Sequence, residues 1–588
     1  MERVILSGNE ALARGAYEAG CLVAAAYPGT PSTEILENMA QYKDVRSKWA
    51  TNEKVALEIA AGAAIGGARA LAAMKQVGIN VAADPLFTMG YAGVNAGLVV
   101  VTADDPGCHS SQNEQDNRLY APHAKLAMVE PADSQECKDY IEAAYELSEQ
   151  FDIPVLLRVT TRVCHAKSLV NLGERKDGGV REYVKNTGKY AMLPATARSR
   201  HVDREAQLIK LEEYSNGSPL NRVEWGDRRI GIVSSGISYQ YAREVFGDDA
   251  SYLKLGLTYP LPGRLIDSFA ASVESLIVIE EGEPYLENAV RMRGHACMGK
   301  ERLPVCGELN AAIIARAFQR DVTAQAYSVG VSAPARPPVL CAGCPHRGYF
   351  LSLYKHRKSL VAVGDIGCYS LGVNPPFEGF DISICMGAGI SAALGLAEAL
   401  ALKGDSRKVF GMVGDSTFFH SGITGLIDVI HCRANVAVCI LDNSITAMTG
   451  HQDNPGTAEG LMGEPVNPVD LVRIVRATGI GEECVRVVDP LDTGEMDRAV
   501  ADAIAEVGPF VIITKSPCVL IREVAKARAN LACVVDQNKC RHCHACLRIA
   551  CPALANRGGA ITIDAAACTA CGLCARQCRF GAIAKAGE

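Results

Sequence analysis

Short apolar runs alternate with stretches whose apolar residues recur every three or four positions along most of the 588 residues. Apolar runs of strand length bounded by turn residues read as buried strands, and the helical periodicity between them as covering helices. From Val4 to about Val163 the runs at 21–27, 98–102, 126–129 and 154–159 are the predicted strands. A second series lies at 230–234, 252–257 and 276–280. A third runs from the Pro-rich stretch APARPPV, 333–339, which reads as a linker, to about Cys518. Strand and helix in regular alternation predict an α/β fold with mostly parallel sheets. Residues 168–229 are charged and weakly periodic, so they predict a connecting region with some helix near 204–214.

The third series holds the stretch from Gly414 to Asn443. Its pattern predicts a strand over 408–413, a helix over 422–431 and a parallel strand over 436–441. Asp415 and Asn443 then stand at the carboxyl ends of adjacent strands, where open α/β sheets bind ligands. An oxygen pair there suits Mg²⁺, which takes few protein ligands and leaves positions for phosphates. Turn-forming Asp and Asn at the corners of a βαβ unit are the alternative. The stretch resembles the thiamine diphosphate motif, which runs from GDG to NN, with Ser416 for the usual Gly and Asp442 for the first Asn. That match implies Asp415, Asn443 and the backbone carbonyl of Ile445 as Mg²⁺ ligands, with Gly414 and Ser416 beside the cofactor. A small-residue helix, 385–400, precedes it.

Three further places carry polar groups at strand ends. AYPGTPSTE, 26–34, leaves a strand and opens a helix, with Ser32 or Thr33 able to cap it. Asn52 caps a helix that carries Glu53 in its first turn, where an acid also complements the helix dipole. DDPGCHSSQNEQDNR, 104–118, follows a strand expected to stop at Thr102, and reads as a substrate or partner contact or as a solvated connection. Glu280 and Glu281 end a later strand and read as a solvated turn, with a functional pair as the alternative.

Composition narrows the class. Nearly half the residues are apolar and the formal charge is −7, which disfavours a nucleic-acid partner. No apolar run reaches the eighteen or so residues of a membrane span, so a cytoplasmic protein is expected. Twenty-three cysteines in such a chain need an explanation other than disulfides. Eight are regularly spaced: Cys540, Cys543, Cys546 and Cys551, then Cys568, Cys571, Cys574 and Cys578. Doubled runs of this kind hold two 4Fe-4S clusters, the fourth cysteine of each run ligating the other cluster. That crossing gives Cys540, Cys543, Cys546 and Cys578 to one cluster, and Cys568, Cys571, Cys574 and Cys551 to the other. Zinc for the C-x2-C pairs and haem at the C-x-x-C-H of Cys540–His544 are weaker alternatives. Cys341, Cys344, Cys368 and Cys518 form a looser set open to a metal site, a redox pair or plain core thiols.

In order along the whole chain, YPGTPSTE, DDPGCHSSQNEQDNR, CAGCPHRGYF, the GDS-to-DN stretch and the terminal cysteines resemble the 2-oxoacid:ferredoxin oxidoreductases, in particular the large subunit of the indolepyruvate enzymes. The resemblance implies three doubly wound parallel-sheet domains: 1–190 of the thiamine pyrimidine-binding type, 191–332 like a transketolase C-terminal domain, and 333–528 binding diphosphate and Mg²⁺. A two-cluster ferredoxin domain, 529–588, follows. It implies Glu53 as the glutamate that bonds the aminopyrimidine ring and Thr30 as the threonine beside the 2-oxoacid. Cys341, Cys344, Cys368 and Cys518 match the ligands of a third cluster. The implied reaction is oxidative decarboxylation of an arylpyruvate with coenzyme A to an arylacetyl-CoA, with electrons passing to ferredoxin. A smaller β subunit and a dimer of heterodimers are implied partners. Another 2-oxoacid, a non-oxidative thiamine decarboxylase and an electron-transfer subunit without chemistry of its own are the competing readings.

Overall fold

In the seven-stranded sheet of the first half of the chain, alternate residues feed different cores. Leu71, Ala73, Val99, Val101 and Leu157 join one hydrophobic cluster, while Ala70, Ala72, Met74, Val100 and Leu156 join another on the opposite face. Both faces are thus covered, which is why these strands are apolar throughout instead of alternating with polar residues. Burying each larger aliphatic side chain contributes about 1.5–3 kcal/mol, so the strand centres carry much of the fold's stability.

The protein is described by a computed structural model covering residues 2–321 and 330–586. Residues 322–329 of the expected 191–332 domain, and Met1, Gly587 and Glu588, lie outside the described residues. The chain forms two compact units, 1–330 with 461–463, and 331–460 with 464–588.

The first unit holds the seven-stranded sheet in the order Leu257–Tyr259, Ala127–Val129, Val155–Thr160, Leu98–Asp104, Ala70–Lys75, Val23–Ala26, Arg46–Trp49. It is parallel except at Leu257–Tyr259, which pairs antiparallel with Ala127–Val129. The expected strand 252–257 is therefore two strands in two sheets. Its first part, Ser251–Leu255, lies in a four-stranded sheet with Ile230–Ser235, Ser275–Ile279 and an antiparallel Arg222–Glu224. The stretch expected to be connecting chain contains a 24-residue helix, Pro194–Gly217, starting well before the helix predicted there.

The second unit is built on a five-stranded parallel sheet, Leu360–Val363, Lys408–Gly414, Val436–Asp442, Phe510–Lys515, Val485–Val488. Its strands again split between two cores: Val409, Val413, Val438 and Ile440 face one, Phe410, Met412, Cys439 and Leu441 the other. The second core also contains Cys546, Ile549, Ile561, Cys574 and Ile583. The cysteine-rich end of the chain, with its antiparallel pairs Cys533–Val535 with Ile583–Lys585 and Leu554–Arg557 with Ala560–Ile563, is packed onto that face.

Candidate functional site

In the first unit the polar groups collect at the carboxyl ends of the parallel strands. Val23–Ala26 leads to Thr30 and its neighbour Arg46–Trp49 leads to Asn52 and Glu53. Asn52 has extended backbone and its side chain accepts from Val55 N at 2.9 Å, so the predicted cap is present. Glu53 opens the helix Glu53–Ile65 and is 6% exposed. Opposite it, in the helix Gln76–Val81, a Cβ built on Gly78 would lie 2.7 Å from Glu53 Cγ and 2.8 Å from Oε1. Ser32 and Thr33 do not cap as expected: Ser32 Oγ donates to Gly29 O at 2.8 Å, and Thr33 Oγ1 accepts from Gly29 N at 3.0 Å, so both brace the Gly29 turn instead.

The strand Leu98–Asp104 runs two residues beyond its predicted stop, because Asp104 is a buried strand residue paired with Arg158 at 2.7 Å. The loop beyond it is anchored rather than free. Asp105 accepts from Ser110 N at 2.8 Å, Ser111 Oγ at 2.6 Å and Thr161 Oγ1 at 2.8 Å. Burial alone would raise its pKa, but these bonds lower it overall. Gln76 spans the loop, accepting from Asp105 N and donating to Asn113 O, each at 2.7 Å. Lys75, whose pKa burial lowers, donates to Ser110 O at 2.5 Å and Ser110 Oγ at 3.2 Å, and Ser110 Oγ donates to Thr30 O at 3.4 Å. The loop tip therefore stands over Thr30. Lys75, Gln76 and Gly78 were missed in the sequence, although all follow directly from a strand end.

The Glu280–Glu281 pair is not a solvated turn. Glu280 accepts from Arg118 Nη1 at 2.6 Å and from the backbone N–H groups of Leu286 and Glu287, both at 2.9 Å. Arg118 also holds Asp116 and the carbonyl of Glu281. Glu281 is buried and accepts from Leu309 N at 2.9 Å, and burial pushes its pKa up to about 7. A charged pair with distant partners looks in sequence like a surface turn.

In the second unit, registry sets Gly414 beside Leu441, so Asp415 and Asp442 emerge together. The turn after Gly414 is helical at once: Asp415–Thr417, then a π-turn Phe418–Gly422, then the helix Ile423–His431. Asp415 is 5% exposed and its Oδ2 accepts from Asn454 Nδ2 at 2.9 Å. Burial, then the neighbouring Asp442 charge, push its pKa up to about 7. Ser416 Oγ accepts from Thr446 Oγ1 at 2.9 Å. Asn443 Oδ1 accepts from Ile445 N at 3.3 Å, tightening the turn that carries the Ile445 carbonyl, and Asn443 O accepts from Cys518 N at 2.9 Å.

Asp365 was missed in the sequence. It follows the strand Leu360–Val363 in the same Gly-Asp arrangement as Asp415, which was the available signal. Fully buried, it accepts from Gly387 N at 3.0 Å, Gly389 N at 2.8 Å and Ile366 N at 2.6 Å. Burial pushes its pKa up to about 6. It thereby fixes the turn opening the helix Ala388–Leu402, where Gly387 has φ +88°.

The cysteines gather in three groups. Cys540, Cys543, Cys546 and Cys578 line one cavity. Cys571 is in electrostatic reach of Cys551 and Cys533, and Cys574 of Cys533, Cys571 and Cys568; Cys533, whose N–H donates to Cys568 Sγ at 3.3 Å, was not singled out in the sequence. Cys344 is likewise in reach of Cys341 and Cys368, and Cys518 of Cys341. Among the described residues no three His, Cys, Asp or Glu side chains are gathered to hold a single metal ion. A lone tetrahedral Zn²⁺ draws its sulfurs to roughly 4 Å of one another, whereas a cubane spreads its four thiolates farther. The donor set fits iron–sulfur clusters, and within the second unit the Asp415 and Asn443 oxygens at adjacent strand ends fit the Mg²⁺-diphosphate end of thiamine diphosphate.

Comparisons with known proteins bear on these groups. Residues 14–207 match the pyruvate flavodoxin/ferredoxin oxidoreductase thiamine-diphosphate-binding family, which takes in Thr30 and Glu53. Residues 365–514 match the C-terminal domain of thiamine pyrophosphate enzymes, from Asp365 through Asp415 and Asn443. Residues 561–584 match the 4Fe-4S binding domain. Indolepyruvate oxidoreductase subunit IorA of Archaeoglobus fulgidus is 41% identical over 613 residues, covering 99% of this chain and 97% of its own. The chain belongs to the IorA family. A second IorA subunit, from Methanothermobacter marburgensis, is 38% identical over 100% of this chain and 98% of its own length. Among solved structures, a 2-oxoglutarate:ferredoxin oxidoreductase from Magnetococcus marinus aligns at 17% identity and a TM-score of 0.47, over 54% of this chain and 65% of that one. An IorA-family chain with these domains is a ferredoxin-dependent 2-oxoacid oxidoreductase that uses thiamine diphosphate and iron–sulfur clusters. No helix among the described residues is long and apolar enough to cross a membrane.

Proposed function

We propose that this chain catalyses the oxidative decarboxylation of arylpyruvates, namely indolepyruvate, phenylpyruvate and hydroxyphenylpyruvate, with coenzyme A to arylacetyl-CoA and CO₂, and that ferredoxin takes the electrons. The observation that carries the substrate is chain-long similarity to relatives described as indolepyruvate oxidoreductase subunits, 36–41% identical in six cases. Thiamine diphosphate, when bound, supplies a nucleophilic carbon and an electron sink.

The chain's own groups have separate tasks. Glu53, held in the space that Gly78 leaves open, exchanges a proton with the aminopyrimidine nitrogen of the cofactor. Thr30 positions the 2-oxoacid, under the loop that Lys75 and Asp105 hold in place. Asp415, Asn443 and the Ile445 carbonyl hold Mg²⁺ and through it the diphosphate, with Gly414 and Ser416 beside them. Cys540, Cys543, Cys546 and Cys578 hold one 4Fe-4S cluster, and Cys551, Cys568, Cys571 and Cys574 hold the other. Cys341, Cys344, Cys368 and Cys518 are the candidate ligands of a third. Cys546 and Cys574 of the terminal domain are buried in the same core as one face of the Mg²⁺-binding sheet, so that domain is packed against the sheet.

The working enzyme is cytoplasmic and pairs this chain with a smaller β subunit as a dimer of heterodimers. The four segments 1–190, 191–332, 333–528 and 529–588 are its functional parts. The test is an anaerobic assay of the assembled enzyme with indolepyruvate, phenylpyruvate, pyruvate and 2-oxoglutarate, following viologen reduction with and without coenzyme A. The expected result is fastest reduction with an arylpyruvate, dependent on coenzyme A. Preference for pyruvate or 2-oxoglutarate overturns the substrate, and aldehyde release without viologen reduction overturns the oxidative reaction.

A further inference from the structure

Arg347 is 2% exposed, in the first turn of the helix His346–His356, just after Cys341 and Cys344. Its hydrogen bonds all go to main-chain carbonyls. Nε donates to Cys341 O at 2.9 Å, Nη2 to Leu340 O, and Nη1 to Ile549 O at 2.9 Å and Ala550 O at 2.6 Å. One guanidinium thus ties the Cys341–Cys344 turn to the chain between Cys546 and Cys551. The same junction is closed by Gly343, with φ +71°. A Cβ there would overlap Thr569 Oγ1 and lie 3.5 Å from Cys571 Cβ.

A buried guanidinium with only neutral acceptors is unfavourable unless an anion lies near. Arg118, equally buried, has Asp116 and Glu280 as partners. Arg347 forms no ion pair with a carboxylate among the described residues, and the thiols of Cys551, Cys344, Cys341 and Cys571 lie within electrostatic reach of it. The missing negative charge is what a cubane bound by four thiolates would bring.

We propose that Arg347 is the counter-charge and positioning residue of the cluster held by Cys551, Cys568, Cys571 and Cys574. The proposal rests on the two-cluster reading given above. Reduction adds one negative charge to a cluster, so a buried cation beside it favours the reduced form and raises its potential. Arginine suits the position because its planar fork reaches four carbonyls at once, which a lysine ammonium does not. The cavity lined by Cys540, Cys543, Cys546 and Cys578 has Arg541 at its edge, but that residue is exposed and its charge is screened by water.

The experiment is an anaerobic redox titration followed by electron paramagnetic resonance on the assembled enzyme, with iron and sulfide content measured, for wild type, Arg347→Gln and Arg347→Lys. In the Gln variant one cluster wave moves to more negative potential while the other stays. In freeze-quenched samples mixed with indolepyruvate, cluster reduction is at least tenfold slower. The Lys variant, which keeps the charge, shows the smaller shift. Unmoved waves in the Gln variant with full iron content overturn the proposal, as does a Lys variant shifted as far as Gln. Should the Gln variant lose its cluster, the Lys variant decides: retention of both clusters supports the role of charge, and loss contradicts it. Wild-type enzyme with iron for fewer than two clusters would instead overturn the two-cluster reading itself.

Discussion

Gly78 stands against Glu53 so closely that a Cβ at that position would come within 2.8 Å of the carboxylate oxygen Oε1. The glutamate occupies the space that the missing side chain leaves, and it is held there by the capped start of its own helix. Gly78→Ala must therefore push Glu53 aside. The expected cost in stability is about 1–3 kcal/mol, typical of overpacking. The expected loss in arylpyruvate-dependent viologen reduction is larger, at least tenfold, because in the role proposed for Glu53 a small displacement costs rate steeply. Wild-type turnover in the variant would show that Glu53 has no such positional role.

Asp365 gathers three backbone N–H groups at the opening of the helix Ala388–Leu402. In Asp365→Asn one acceptor oxygen becomes an NH₂ facing a donor. Bonds to a charged acceptor contribute about 1.5–3 kcal/mol each, so the thermal midpoint should fall and the affinity for thiamine diphosphate with Mg²⁺ should weaken. Calorimetric titration of the variant with the cofactor measures both the binding and, by scanning, the midpoint. An unchanged affinity would mean that the glycine turn is shaped without this carboxylate.

The buried strands were legible because a run such as 409–414 is apolar over its whole length, and two-sided burial writes itself into composition. Asp415 and Asn443 were legible because they end such runs. Less visible were residues whose role depends on partners far along the chain. Glu280 and Glu281 read as solvated since nothing near them in sequence announces Arg118, which lies 162 residues before Glu280. Ser251–Leu255 and Leu257–Tyr259 read as one strand because a sheet switch at Gly256 leaves no change in hydrophobicity. The helix Pro194–Gly217 was predicted only in part because its periodicity is weak. Its buried Arg204 donates to the carbonyls of Gly90 and Asp152 instead of filling an apolar stripe.

Glu281 gives a pH prediction. Its folded pKa, about 7, lies above the unfolded carboxylate value of about 4.3. The folded state therefore holds the proton more tightly, and the stability this adds is fully present below the unfolded pKa and is lost as pH rises through about 7. The wild-type thermal midpoint should fall between pH 5 and pH 8, and Glu281→Gln, which cannot ionise, should fall less. The difference is roughly 3 kcal/mol at the alkaline end by linkage. Parallel curves for the two proteins would show that Glu281 titrates elsewhere.

Glu53 and the cysteines should be two ends of one reaction, and rapid freezing of the assembled enzyme tests that link most directly. Wild-type and Glu53→Gln enzymes are mixed anaerobically with indolepyruvate and coenzyme A, frozen, and examined for the paramagnetic signal of reduced 4Fe-4S clusters. The wild type is expected to show the signal within a turnover. The variant should show it at least a hundredfold more slowly, as loss of a proton-transfer group predicts, while dithionite still reduces its clusters fully. Equal rates in the two enzymes, or wild-type clusters that stay oxidised, would contradict the account.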